Sequence, residues 1–174
     1  MTQVEMFESD LAVARRTFFD AAIHEGMDCP CCDRYSKVNK YRFNISMAKV
    51  LIWLGHHSAS PLGEVYVYTP AAKNFVTKSN CLGKLKWWDL AETKPTERDT
   101  KGSGWWRITP YGRAFLNGEV DTLKYLYGYN KQVINPYEWG ISDPDETVLT
   151  FEESLSSLGF SYAEAIKPIL QYLE

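Results

Sequence analysis

The sequence predicts an α+β protein, and three observations carry that expectation. Apolar residues recur every three to four positions over Thr2–Ala22 and Asn44–Leu54, the period of helices with one buried face. Glu64–Thr69 and Trp105–Thr109 have the β-branched and aromatic content of strands. Lys94–Gly104, between them, holds no apolar side chain large enough to anchor a core and is punctuated by Pro and Gly, so it predicts a mobile charged hairpin tip.

The first element, Thr2–Ala22, predicts an amphipathic helix about 30 Å long at 1.5 Å per residue. Val4, Phe7, Leu11, Ala14, Phe18 and Ala21 alternate three and four apart, a narrow apolar seam that either joins two copies into a homodimer or packs on its own domain. Cys29-Pro-Cys-Cys32 follows. Its Pro fixes a tight knuckle in which the Cys29 and Cys32 sulfurs can point at one centre, as in half of a zinc ribbon. With His24 five residues upstream, these are the candidate zinc ligands; Cys31, His56, His57 and Cys81 are further donors, and no second C-x-x-C exists. The thiols can equally pack reduced as small hydrophobes, or take part in redox chemistry. Arg34–Lys49 carries Arg34, Lys37, Lys40, Arg42 and Lys49 with no acid, interleaved with Tyr35, Tyr41 and Phe43. It reads as an arm along nucleic acid or as an extended segment whose rings are core.

Asn44 can cap a helix to about Leu54. Gly55–Pro61 is a polar break whose His56 and His57 belong at the surface. Glu64–Thr69 predicts a strand and Pro70–Val76 an abbreviated helix. Thr77 is a good N-cap for the next helix, along which Leu82, Leu85 and the Trp88–Leu90 region form a buried stripe while Lys78, Lys84 and Lys86 project elsewhere. Cys81 is expected in the core. Pro110 suits the first turn of a closing helix. Leu123–Ile134 predicts a β-hairpin turning near Gly128–Lys131. Thr150 with Glu153, and Ser161 with Glu164, read as capping boxes of two last helices. The expected division is residues 1–43, a helix and Cys-rich knuckle; 44–118, a basic domain; and 119–174, an acidic C-terminal appendage with a β-hairpin plus helices.

The run Leu82–Leu90, the variable hairpin and Arg107-Ile-Thr-Pro-Tyr-Gly-Arg113 together resemble the winged helix-turn-helix DNA-binding domains, over roughly Asn44–Asn117. There a K-L-x-x-x-G-L helix end leads to a wing and an R-I-T-x-x-G-R corner; this chain departs from the pattern at Asp89, where Gly is common. The Cys-Pro-x-Cys head followed by this domain also resembles a group of uncharacterised bacteriophage proteins. The resemblance implies a winged helix-turn-helix core within the α+β fold, and a phage setting.

Charge points the same way. Met1–Asp33 has 2 Lys or Arg against 7 Asp or Glu, Arg34–Gly118 has 14 against 5, and Glu119–Glu174 has 3 against 10. A basic middle between acidic ends is hidden by the total of -3, and clustered cations are what a phosphate backbone requires. Lys78, Ser79, Asn80, Lys84 and Lys86 are the candidates for the major groove of double-stranded DNA. Arg98 and Lys101 are those for the adjacent minor groove or backbone. Asn80 can donate to and accept from one adenine edge. The alternative expectation is a phage factor that binds a host protein through Trp105 or Trp106. No H-E-x-x-H, P-loop, G-x-S-x-G or G-x-G-x-x-G occurs, so no enzyme is expected; a metal-dependent enzyme would need a carboxylate or His to converge on the Cys turn. No apolar run is long enough to span a membrane, and the acidic N-terminus is unlike a signal peptide, so the expected location is the cytoplasm.

Overall fold

The computed structural model describes residues 3–29, 32–72, 74–77, 80–95 and 104–156. In chain order these form α1 (Gln3–His24), β1 (Met27–Asp28), β2 (Tyr35–Ser36), β3 (Asn39–Arg42), α2 (Ile45–Ser58), β4 (Val67–Tyr68), α3 (Asn74–Thr77), α4 (Cys81–Trp87), β5 (Ala91–Thr93), β6 (Trp105–Ile108), α5 (Pro110–Leu116), β7 (Thr122–Leu123), β8 (Tyr125–Tyr129), β9 (Gln132–Val133), β10 (Val148–Leu149) and α6 (Phe151–Ser156). The fold is α+β.

Two units divide the chain. One is Met1–Tyr41 with Tyr125–Asp145; the other is Arg42–Lys124 with the segment that begins at Glu146. The first break between the units falls after Tyr41, and residues 125–145 and 146–156 lie in different units. Strand pairing partitions them: β8 is the middle strand of a β3-β8-β9 sheet, whereas β10 pairs with β7.

In the first unit α1 ends where Gly26, at φ +84°, reverses the chain and donates its amide to the Ala21 carbonyl at 2.7 Å. Near this end the buried position is Ala22, whose carbonyl accepts from the Val38 amide at 2.7 Å; Ala21 and Phe18 are half-buried and Ala14 is exposed. The side chains of Val4, Phe7 and Leu11 lie outside the described residues. β1 and β2 pair antiparallel, Met27 opposite Ser36. The expected hairpin is formed by β8 and β9, and it turns through Asn130 and Lys131 at φ +46° and +65°. Two left-handed residues match the twist of paired strands, and Asn tolerates that conformation well. Lys40 reaches Asp145 at 2.9 Å and lies over the Tyr125 ring at 4.1 Å.

The second unit is built on α2. Asn44 caps it, its Oδ1 accepting from the Met47 amide at 3.1 Å. Met47, Leu51 and Leu54 are fully buried, as are Leu85, Leu90, Ile108, Phe115 and Leu155 from the elements that cover it. Truncating such a residue to Ala costs about 2–5 kcal/mol. Phe43 is core, edge-on to Trp88 at 5.8 Å and to Phe115 at 5.7 Å; the exposed ring of its segment is Tyr35. The sheet order is β4-β6-β5, so the last strand in sequence lies in the middle, with Val67 opposite Trp106 and Ala91 opposite Ile108. The first strand is shorter than Glu64–Thr69, because Glu64 is drawn into an ion pair and Thr69 opens a 3-10 turn on Pro70.

The helix expected to start at Thr77 starts later: Thr77 is the last residue of α3, and α4 begins at Cys81, after Asn80 at ψ 32°. Val76 on α3 and Leu85 on α4 are both buried. Thr150 and Glu153 exchange the expected capping-box bonds, at 3.0 and 3.1 Å. Ser161, Glu164 and the apolar tail lie outside the described residues.

Candidate functional site

Because Cys81, Leu82 and Leu85 turn inward, the outer face of α4 is left to Asn80, Gly83, Lys84, Lys86 and Trp87. Asn80, Lys84 and Trp87 are four and three apart and so share one side of the helix. Asn80 is exposed at the first cap position with no side-chain cap bond. Its amide borders a cleft of about 520 Å³ whose lining includes Thr69, Thr77, Gly83 and Trp106. Lys86 is exposed and Lys84 half-buried. Lys78, Ser79, Arg98 and Lys101 lie outside the described residues; of the other three candidates Asn80 and Lys84 share one side of α4, while Lys86, two positions from Lys84, projects from the opposite flank.

The hairpin that follows α4 is braced across its strands. Arg107 and Glu92 face each other in register and form an ion pair, and Arg107 lies over the Tyr66 ring at 4.6 Å. The hydrogen bond to Glu92 holds the guanidinium above its ordinary pKa. Arg107 is thus committed to the hairpin. At its outer end Tyr68 and Trp105 are register partners with ring centroids 5.1 Å apart, 46% and 40% exposed, and the Lys94 ammonium lies 5.8 Å from the Trp105 ring. Sequence reasoning singled out Trp105 but not Tyr68, which alternates with the half-buried Tyr66 and so could have been assigned to the same face.

The corner from Arg107 to Arg113 fixes where α4 ends. Leu90 donates its amide to Leu85 at 3.0 Å and Asp89 to Lys86 at 3.1 Å, with Asp89 at φ +57°. This is the Schellman closure, with Leu85 and Leu90 in the core on either side. Thr109 caps α5 by accepting from the Gly112 amide at 2.9 Å, while its hydroxyl donates to the Asp89 carbonyl at 2.5 Å. A side chain at Gly112 would collide with the Leu90 carbonyl oxygen. Arg113 donates to Glu64 and to the Gly55 carbonyl at 2.8 and 2.6 Å. The motif therefore positions α4 and the hairpin rather than lining a site.

In the first unit the Cys turn joins β1 to β2. The Cys29 carbonyl accepts from the amides of Cys32 and Asp33 at 3.2 and 2.8 Å, and Asp33 takes φ +54° to complete the reversal. Cys29 is half-buried; Cys32 and His24 are exposed. Among the described residues no three His, Cys, Asp or Glu side chains gather where they could hold a metal ion, so His24 is not brought in as a third ligand beside Cys29 and Cys32. In the second unit Cys81 is core, and His57 stacks on Trp53 at 4.3 Å and bonds its carbonyl at 2.8 Å, while His56 is exposed.

Helices and short sheets make this an α+β protein, and the side of α4 that carries Asn80 and Lys84 is a candidate binding surface. No protein-family model, curated protein or solved structure matches the chain. Among the described residues no helix is long and apolar enough to cross a membrane.

Proposed function

We propose that the second unit is a winged-helix domain that binds double-stranded DNA, as a bacteriophage regulator would, with α4 at the major groove and the β5–β6 hairpin as the wing. The observation that carries this reading is the arrangement of α2, β4, α3, α4, β5 and β6 with strand order β4-β6-β5, in which α4 buries Leu82 and Leu85 while Asn80, Lys84 and Lys86 stay outside. Lys84 and Lys86 would neutralise phosphates and Asn80 would read a base edge. In sequence Lys78 and Ser79 fall between α3 and α4, and Arg98 and Lys101 between β5 and β6; the same proposal extends to them.

Binding to a labelled random duplex across a salt series tests it. Each phosphate contact removed should lower the slope of log affinity against log salt by about 0.9, so Lys84→Ala with Lys86→Ala should flatten it by roughly twice that. An unchanged slope would remove α4 from the interface.

A second reading rests on the exposed Tyr68–Trp105 pair: a phage factor that docks on a host protein through these rings, aromatic anchors being common at interface centres. Tyr68→Ala with Trp105→Ala should then abolish a purified partner's binding and leave the duplex salt slope alone.

A further inference from the structure

The first unit holds a second candidate site, independent of the DNA-binding reading. A cleft of about 530 Å³ lies within it, lined from one side by Cys29, Cys32, Arg34, Tyr35, Ser36 and Lys37 and from the other by Tyr129, Asn130 and Lys131. That volume suits a small organic ligand.

We propose that this cleft takes a nucleotide, its phosphate held by Arg34, Lys37 and Lys131 and its base stacked on Tyr35. Charge is the first argument. The unit has six Lys and Arg against ten Asp and Glu, yet three of the six line this one cleft, and among the described residues no carboxylate does. Lys40 is spoken for by Asp145. Like charges gathered without a counter-charge favour an anion between them. The second argument is the platform. Tyr35 is 62% exposed, and its hydroxyl donates to the Glu25 carbonyl at 3.0 Å, so the ring is fixed while much of it stays open. Gly26 makes this seat: a side chain there would collide with the Tyr35 hydroxyl. A fixed, open ring beside cations is the combination that binds unstacked bases. Duplex DNA, with its bases paired, cannot use it. The Asn39 and Asn130 amides add polar groups along the lining.

The same chemistry is found in a free nucleotide and in one residue of a single strand. Fluorescence anisotropy of the full chain with a labelled oligothymidylate, competed by AMP or by inorganic phosphate, separates them. We expect oligothymidylate to bind; Tyr35→Leu should weaken it about tenfold or more, and Arg34→Ala with Lys131→Ala should flatten its salt slope by about 1.4. Neither change should alter duplex binding, and Lys84→Ala with Lys86→Ala should not alter oligothymidylate binding. Displacement by AMP assigns a free-nucleotide site; binding that AMP leaves in place assigns a single-strand site. Tyr35→Phe, which keeps the ring, should lose less than Tyr35→Leu, and matching urea midpoints for the variants show that the fold is retained. The proposal is overturned if oligothymidylate and AMP both fail to bind, if the cleft variants bind like the parent, or if phosphate competes as well as AMP.

Discussion

Asp89→Gly should stabilise the second unit. Asp89 is exposed and sits at φ +57°, just beyond the last turn of α4. The left-handed conformation costs an L-residue about 1–2 kcal/mol, and Asp falls at the low end because it visits that region more readily than most. A carboxylate at this point also faces the negative end of the helix dipole, a further penalty of about 0.3–1 kcal/mol. Glycine removes both but makes the unfolded chain more flexible, which returns about 0.4–1 kcal/mol. The net expectation is about 0.3–1.6 kcal/mol of added stability, or a Tm higher by about 1–6 °C at roughly 4 °C per kcal/mol. Every bond of the turn survives, because the Leu90–Leu85 and Asp89–Lys86 pairs and the Thr109 contact all use Asp89 backbone or other residues. Urea unfolding followed by tryptophan fluorescence measures the change. Asp89→Asn isolates the electrostatic part, since Asn keeps left-handed tolerance, and Asp89→Val, β-branched, should fall below the parent. A midpoint for Asp89→Gly at or below the parent's would refute the reasoning.

Gly112→Ala should lose about 1–3 kcal/mol in the same assay, because its Cβ would meet a backbone carbonyl that cannot rotate away. Arg113→Met should lose about 2–3 kcal/mol by leaving Glu64, only 25% exposed, without its cation; adding Glu64→Gln should restore part of that, and a double-mutant cycle with no coupling would contradict the pair. Lys40→Met should destabilise the first unit. The hydrogen bond that Lys40 donates to Asp145 raises the Lys40 pKa, so its contribution is complete below the ordinary lysine range and fades as pH rises through the higher folded-state value. The loss on substitution should therefore be constant between about pH 7 and 9 and shrink only in stronger alkali; a loss that varied across the neutral range would exclude this ion pair as its source.

Much of the second unit was legible because its signals are local. Asn44, Thr109 with Pro110, and Thr150 with Glu153 announce helix starts by chemistry that acts within three residues. The hairpin near Asn130 is equally local. Thr77 misled for the same reason: a good cap residue is present, but Asn80, as good a cap by residue type, stands three positions on, and α4 begins there. Nothing local chooses between the two. Glu64 likewise looks like the start of a strand until Arg113, forty-nine positions away, claims it.

The same distinction separates the two candidate sites. On α4 a short stretch supplies both the buried stripe and the exposed cations, so periodicity alone could nominate Asn80, Lys84 and Lys86. The cleft in the first unit joins Arg34 and Lys37 to Lys131 through the pairing of β8 with a strand from the head of the chain. In sequence Lys131 is one cation within an acidic segment, and the basic run after Arg34 reads as an arm. Strand pairing turns that run into one wall and supplies the other, and the glycine that admits the Tyr35 hydroxyl lies on neither strand. A search confined to contiguous basic stretches would therefore find the α4 face and the run after Arg34 but miss Lys131, and with it the cleft that the two walls make.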